Sequence, residues 1–232
     1  MCGRFTRATE ARAFTDLIPD LIYSDASRSP RYNIAPTQQA LIAREHPETR
    51  SRELVPLKWG LVPHWSTDAK GGAKMINARA ETVATKPAFR DSFKYRRCLV
   101  AADGWYEWRV TAAGKAPIYI QRITRDGEIA PFYFAGLWSS WRDKAVPDAV
   151  PLETFTILTR EASPALTEVH DRMPVILPQE NYGMWLDRSV TTSDAITALI
   201  GSAVHEGFHY FAVSARVNTP KNDDAACTTP VH

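Results

Sequence analysis

The chain has little of what most simple function classes require. Three cysteines, Cys2, Cys98 and Cys227, are scattered over 232 residues, too few for a disulfide framework and spaced unlike a zinc knuckle. That scarcity fits a reduced, cytoplasmic setting, nucleoid-associated if the source is bacterial. No apolar run approaches the roughly 20 residues of a spanning helix, so no membrane association is expected. The opening MCGRFTRATEARAFT lacks the apolar centre of a secretory signal. Neither sign of charge dominates: 28 basic against 26 acidic residues give +2, compatible with an anionic partner but unlike a protein that coats duplexes. There is no G-x-S-x-G, phosphate loop or dinucleotide fingerprint, no internal repeat and no Gly/Ser linker.

What remains is a folded chain built of many short elements. Sixteen prolines and 11 glycines are spread along it and punctuate turns throughout. Runs rich in β-branched and aromatic residues predict strands at 39–43, 97–102, 117–122, 131–138, 153–159 and 209–217. Helices are predicted after Thr9, from Ser163-Pro164 to before Pro174, from Pro178 through Trp185, and from Ser193 through Ile200. Strands dominate without regular βα alternation. The expected class is therefore α+β, a single domain with a curved, barrel-like antiparallel core and short flanking helices. The domain is expected over residues 1–223, with 224–232 a mobile tail that carries Cys227. Cys98, in the apolar run RRCLVAA, reads as a buried inert thiol.

Four clusters carry chemistry. The first is Met1-Cys2-Gly3-Arg4-Phe5. Initiator methionine is normally removed before a small residue, which would leave Cys2 as a terminal 1,2-aminothiol. Its amine and thiol can both add to one aldehyde carbon, the amine as a Schiff base and the thiol by closing a five-membered thiazolidine. An α-amine has a reference pKa of about 7.7–8.0, so part of it is unprotonated at neutral pH. Gly3 lets backbone approach a ligand, and Arg4 sets a fixed positive charge beside the nucleophile, suited to phosphate. An accidental cysteine at position 2 would look the same.

The second cluster is Ile76-Asn77-Ala78-Arg79-Ala80-Glu81, where Asn77 offers donors and acceptors to an amine or a sugar hydroxyl. Arg79 shares its face if the segment is extended. In the third, Glu107 stands between Tyr106 and Trp108. It is either a desolvated general acid or an edge-strand glutamate facing water. In the fourth, His170 precedes Asp171-Arg172-Met173-Pro174. It is a proton shuttle near pH 7 or a structural histidine beside an ion pair. The pattern His205-Glu206-Gly207-Phe208-His209 matches H-E-x-x-H, but Gly207 and the strand-like residues that follow deny it the helix a zinc site needs. No metal and no cofactor are expected.

Taken together these segments resemble the SOS-response-associated peptidase (SRAP) family, whose members shield abasic sites in DNA. MCGRF, RYNIAPTQ (31–38), KWGLVPHW (58–65), INARAET, ADGWYEW, HDRMP and VSARVN (213–218) follow in that family's order over residues 2 to about 223. The resemblance implies that Cys2 becomes joined to the open-chain aldehyde of an abasic deoxyribose. Asn77 would position the amine and sugar, Glu107 would be the general acid for ring opening, and His170 would handle the proton transfers. Arg4, Arg79 and Arg172 would hold phosphates, Trp65 would stack on a neighbouring base, and Asn33 and Pro36 would shape the pocket. The implied partner is single-stranded DNA containing abasic sites, bound by a monomer. The implied chemistry is lyase-like, with a peptidase activity read as removal of Met1 or as reversal chemistry at the same site. The family usually has larger apolar residues after its final Asp, whereas here Asp223-Asp224 leads to Ala225-Ala226-Cys227. Seven tryptophans suit single strands, on which aromatic stacking is tolerant of sequence.

Two readings of other classes start from the same residues. An N-terminal-nucleophile amidohydrolase also begins Met-Cys-Gly and uses the Cys2 thiol with its own amine as base, but the other motifs do not match it. In a non-catalytic single-strand binding module, Cys2 would be incidental.

Overall fold

In a computed structural model of the chain, residues 2–23, 29–112, 114–123 and 126–231 are described. They form two sheets packed face to face. One has five strands in the order β13-β9-β8-β1-β3: β1 (Phe5–Arg7), β3 (Arg31–Ile34), β8 (Gly104–Thr111), β9 (Gly114–Arg122) and β13 (Phe208–Ala212). The other runs β12-β11-β10-β7-β4-β5-β2: β2 (Leu21–Tyr23), β4 (Gln39–Glu45), β5 (Arg52–Trp59), β7 (Arg97–Ala102), β10 (Phe132–Trp141), β11 (Leu152–Glu161) and β12 (Arg172–Pro174). The class is α+β in one domain, as expected. Pairing of β5 with β11 returns the second sheet on itself as a ring. The sheets are mixed, not wholly antiparallel: β11 runs parallel to β5 and to β6 (Asn77–Arg79), and β2 parallel to β5.

The strand alternation explains the layers. In β7, Cys98, Val100 and Ala102 enter the core between the sheets, while Leu99 and Ala101 enter a second core on the other face. Both faces being buried, β7 reads as a continuous apolar run. The second core is closed by α1 (Ala11–Thr15), α2 (Arg90–Tyr95), α3 (Tyr182–Leu186) and α4 (Ser193–Gly201), through Phe14, Phe93, Trp185, Ile196 and Leu199.

Several predicted elements differ. Thr9 does not cap a helix: α1 begins at Ala11 with Glu10 at its N-cap, and the Thr9 N–H donates to Asp103 Oδ2 at 2.6 Å. The helix predicted after Ser163 is a single 3-10 turn, Pro164–Leu166. Glu161 pairs with Arg172 across the β11–β12 ladder, so the ten residues between must reverse direction and leave no room for several helical turns. The strand predicted over 209–217 stops at Ala212 and gives way to a 3-10 turn at Ala215–Asn218. The final segment does not trail free. Residues Ala225–Cys227 form another 3-10 turn, Cys227 is fully buried, and Val213 bridges Pro230. No described helix is long and apolar enough to cross a membrane.

Gly60 secures the approach to the site. Its φ is +121°, and a Cβ there would lie 2.6 Å from the Gly72 carbonyl oxygen. Around it Leu61 N–H donates to Met75 O at 3.1 Å and Trp59 Nε1 to Ile76 O at 2.9 Å. Those bonds hold the residues immediately before Asn77. Gly60→Ala is expected to destabilise the fold by about 1–3 kcal/mol from backbone strain alone, with the clash in addition; thermal unfolding measures it.

Candidate functional site

Pairing of β1 with β8 builds the site. Phe5 stands opposite Trp105, and Tyr106 N–H donates to Arg4 O at 2.9 Å. Side chains alternate across a strand, so Phe5, Trp105 and Glu107 face the core between the sheets, while Arg4, Tyr106 and Trp108 face the other way. Cys2, three residues before β1 in an irregular segment, also enters that core and is fully buried. Burial, then the nearby Glu107 carboxylate, push its thiol well above the ordinary value, and the Arg4 backbone N–H donates toward its sulfur.

From the second sheet comes Asn77, placed by the parallel pairing of β6 with β11. Its Nδ2 donates to Cys2 O at 2.8 Å. Its Oδ1 is buried with no hydrogen-bond partner among the described residues, an acceptor costly to leave unmet. His170 arrives from the loop between β11 and β12, its Nε2 3.9 Å from Glu107 Oε2. Two contacts compete for its Nδ1: Arg172 N–H donates to it at 2.9 Å, and Asp171 Oδ1 lies 2.7 Å away. The Asp171 side chain is 84% exposed, whereas the Arg172 amide is fixed by β12. The assigned tautomer therefore has Nδ1 accepting and the Nε2 proton facing Glu107. Burial lowers the His170 pKa, which favours the neutral ring. Burial likewise lifts the Glu107 carboxyl from an ordinary 4.5 to about 7, with the Asp171 charge adding to the rise. Glu107 therefore titrates close to neutrality instead of in the ordinary carboxylate range.

Cys2, Asn77, Glu107 and His170 come together, and the remaining expected residues divide. Arg79 is exposed at the end of β6, next to Asn77. Arg172 makes a bidentate pair with Glu81, at 2.7 and 3.0 Å, and donates to Thr159 O at 2.6 Å. Arg4 points away from Cys2, onto the opposite face of the five-stranded sheet. Its Nη1 donates to Asn33 Oδ1 and to Val217 O, both at 2.7 Å. Asn33 is fully buried on that same face. Trp65 is 51% exposed on the loop after β5, and Pro36 is half-buried in the turn between β3 and β4. No hydrogen bond or ring contact among the described residues joins either to Cys2. Sequence reasoning missed Glu81 as the partner of Arg172 and Asn218 as a partner on the far face. Both lie inside the quoted segments INARAET and VSARVN, the only signal that could have singled them out.

Among the described residues no three His, Cys, Asp or Glu side chains cluster as metal ligands would. His205 lies in a loop and His209 in β13, so the two imidazoles do not share a helix face.

A buried terminal-region thiol, an amide, a carboxyl raised toward neutrality and an imidazole thus lie together, residue types that can carry nucleophilic and acid–base chemistry. The chain belongs to the SOS response associated peptidase (SRAP) family, whose model matches residues 1–220. It is 38% identical over 228 residues to the abasic site processing protein YoqW of Bacillus subtilis, covering 96% of each chain. It is 31% identical to the abasic site processing protein YedK of Escherichia coli, covering both chains fully. Among solved structures, a protein from Bacteroides thetaiotaomicron aligns over the whole of both chains with a TM-score of 0.82 and 25% identity.

Proposed function

We propose that this protein processes abasic sites in DNA, and that it does so by covalent capture of the sugar aldehyde through Cys2 once Met1 has been removed. The abasic-site part rests on relatives that carry that name over nearly their whole length. The covalent part rests on one observation: Glu107, its pKa near 7, stands beside both His170 and Cys2.

In this reading Glu107 donates a proton to the ring oxygen of the closed deoxyribose, the bond from that oxygen to the anomeric carbon breaks, and the anomeric hydroxyl gives its proton to water, leaving the open aldehyde. The α-amine of Cys2 attacks that carbon and water leaves, giving a Schiff base. The Cys2 sulfur then adds to the same carbon, a C–S bond forms, and the thiol proton passes to nitrogen. Thiol, not thiolate, is the resting form in this buried pocket, so the sulfur must lose its proton as it adds. Glu107, ionised once it has given up its proton, takes that proton and returns it to nitrogen, His170 facing the carboxylate with its Nε2 proton, and Asn77 Oδ1 accepts from the amine or a sugar hydroxyl. The peptidase activity in the family's name is read as removal of Met1.

Phosphate contact falls to the exposed Arg79, and base stacking to Trp65. Arg79→Ala is expected to weaken binding to single-stranded DNA and to reduce the slope of log K against log salt by about 0.7, the loss of one phosphate contact. Fluorescence anisotropy over a salt series measures both. The proposal as a whole is tested by the intact mass of the protein after incubation with an abasic oligonucleotide. The expected mass is that of the chain without Met1, plus the oligonucleotide, minus one water. An unchanged protein mass overturns it.

A further inference from the structure

We propose that Arg4 is a positioning residue for Cys2, held by the carbonyls of a C-terminal strap, and not a phosphate ligand. The inference rests on the covalent reading above for its kinetic consequence, but its structural half stands apart from DNA.

Strand alternation sends the Arg4 side chain to the face of the five-stranded sheet opposite the site. There a cluster of Tyr106, Tyr119, Val213, Val217 and Cys227 is completed by the last residues of the chain. Both terminal nitrogens of the guanidinium are received. Nη1 donates to Asn33 Oδ1 and Val217 O at 2.7 Å, Nη2 reaches Asn218 O at 3.4 Å, and the plane lies 5.8 Å over the Trp108 ring. Trp108 Nε1 in turn donates to Asn218 Oδ1 at 2.7 Å.

The strap is fixed independently. Asn33 Nδ2 donates to Val217, Thr219 and Asn222 carbonyls at 3.1, 3.2 and 2.7 Å. The backbone N–H groups of Tyr32 and Asn33 both donate to Asp223 Oδ1, at 2.5 and 2.8 Å. A planar fork holding two or three acceptors at once orients its own backbone. Here that backbone is one residue from Phe5, where β1 begins, and two from the nucleophile. From the site side the Cys2 carbonyl is held by Asn77, and the second point that fixes the nucleophile is Arg4, pulled from behind.

Two variants test this. Arg4→Met keeps the stem over Trp108 and removes the fork. Asn218→Ala removes the Trp108 acceptor. In single-turnover crosslinking to an abasic single strand, both are expected to lower the saturating rate about tenfold to a hundredfold, the usual effect of a small misplacement. The half-saturating DNA concentration and the salt slope should stay at wild-type values, the reverse of Arg79→Ala. Arg4→Lys keeps the charge and should share the rate defect. In the free protein, alkylation of the buried Cys2 by iodoacetamide, read on the Cys2 peptide by mass spectrometry, should speed up severalfold in both variants.

The idea is overturned if Arg4→Met raises the half-saturating concentration and flattens the salt slope by about 0.7 at an unchanged saturating rate, the signature of a phosphate contact. It is also overturned if Cys2 alkylation is unaltered in both variants. A wild-type chain that forms no adduct would instead refute the covalent reading, and the alkylation result would still decide the role of Arg4.

Discussion

Cys2→Ser is expected to abolish the adduct that survives denaturation. The processed variant would still present an α-amine, so a Schiff base can form on the abasic aldehyde. An imine in water is reversible, and it is the sulfur adding to the same carbon that closes the ring and holds the product. Serine oxygen is a far weaker partner for that closure. Wild-type protein should therefore give a stable adduct without reductant. The serine variant should give one only when borohydride is present to reduce the imine as it forms. Denaturing gel electrophoresis with and without borohydride separates the two, and intact mass gives the composition of each product. A stable adduct from the serine variant without reductant would move the nucleophile elsewhere. Retention of abasic DNA with no covalent product from either protein would favour the binding module, and activity indifferent to an abasic site would favour the amidohydrolase.

Glu107→Gln is expected to lose activity and gain stability together. A glutamine amide at this position cannot donate the proton that opens the sugar, and general acid catalysis contributes roughly 10²–10⁴-fold, so crosslinking should slow by that order while affinity for undamaged single strands is unchanged. Stability follows from the same burial. The carboxyl titrates near 4.5 in the unfolded chain and at about 7 in the folded one, so the folded state holds an extra proton between those values. Stability accordingly falls as pH rises through the window from 4.5 to 7 and is level above it. The loss corresponds to about 3 kcal/mol, present in full at about pH 8 and absent below about pH 4.5. The glutamine variant escapes that loss and should melt roughly 5–10 °C above wild type at about pH 8, the gap closing as the pH is lowered toward the ordinary carboxyl range. The wild-type crosslinking rate should also fall as pH rises past about 7, because the acid form is lost. Equal melting temperatures on either side of that titration, in both proteins, would show that Glu107 is not the buried acid described here.

The parts of this molecule that were legible in sequence are those with local causes. The apolar runs of β4, β7, β9, β10 and β11 announce themselves through β-branched and aromatic residues bounded by turn formers. The strand β5 did not, because Pro56 within it reads as a breaker. The short 3-10 turn after Ser163 also escaped, since its length is set by the ladder between Glu161 and Arg172 and not by its own residues.

The site divides in the same way. A cysteine behind the initiator methionine is a 1,2-aminothiol by covalent structure alone, and the neighbours of Glu107 already suggested desolvation. Sequence thus determined which groups could react. It could not say which face each side chain would take. Arg4 and Arg79 are equally cationic in the sequence, yet one is drawn inward by a carbonyl 213 residues away and the other stands in solvent. Arg172 is matched by Glu81, 91 residues distant, and the tail that composition marks as loose is packed around Cys227. A charge is free or engaged, and a carboxyl acid or ionised, according to the groups and the water around it. Those surroundings are assembled by contacts between distant parts of the chain, so only the tertiary structure decided them.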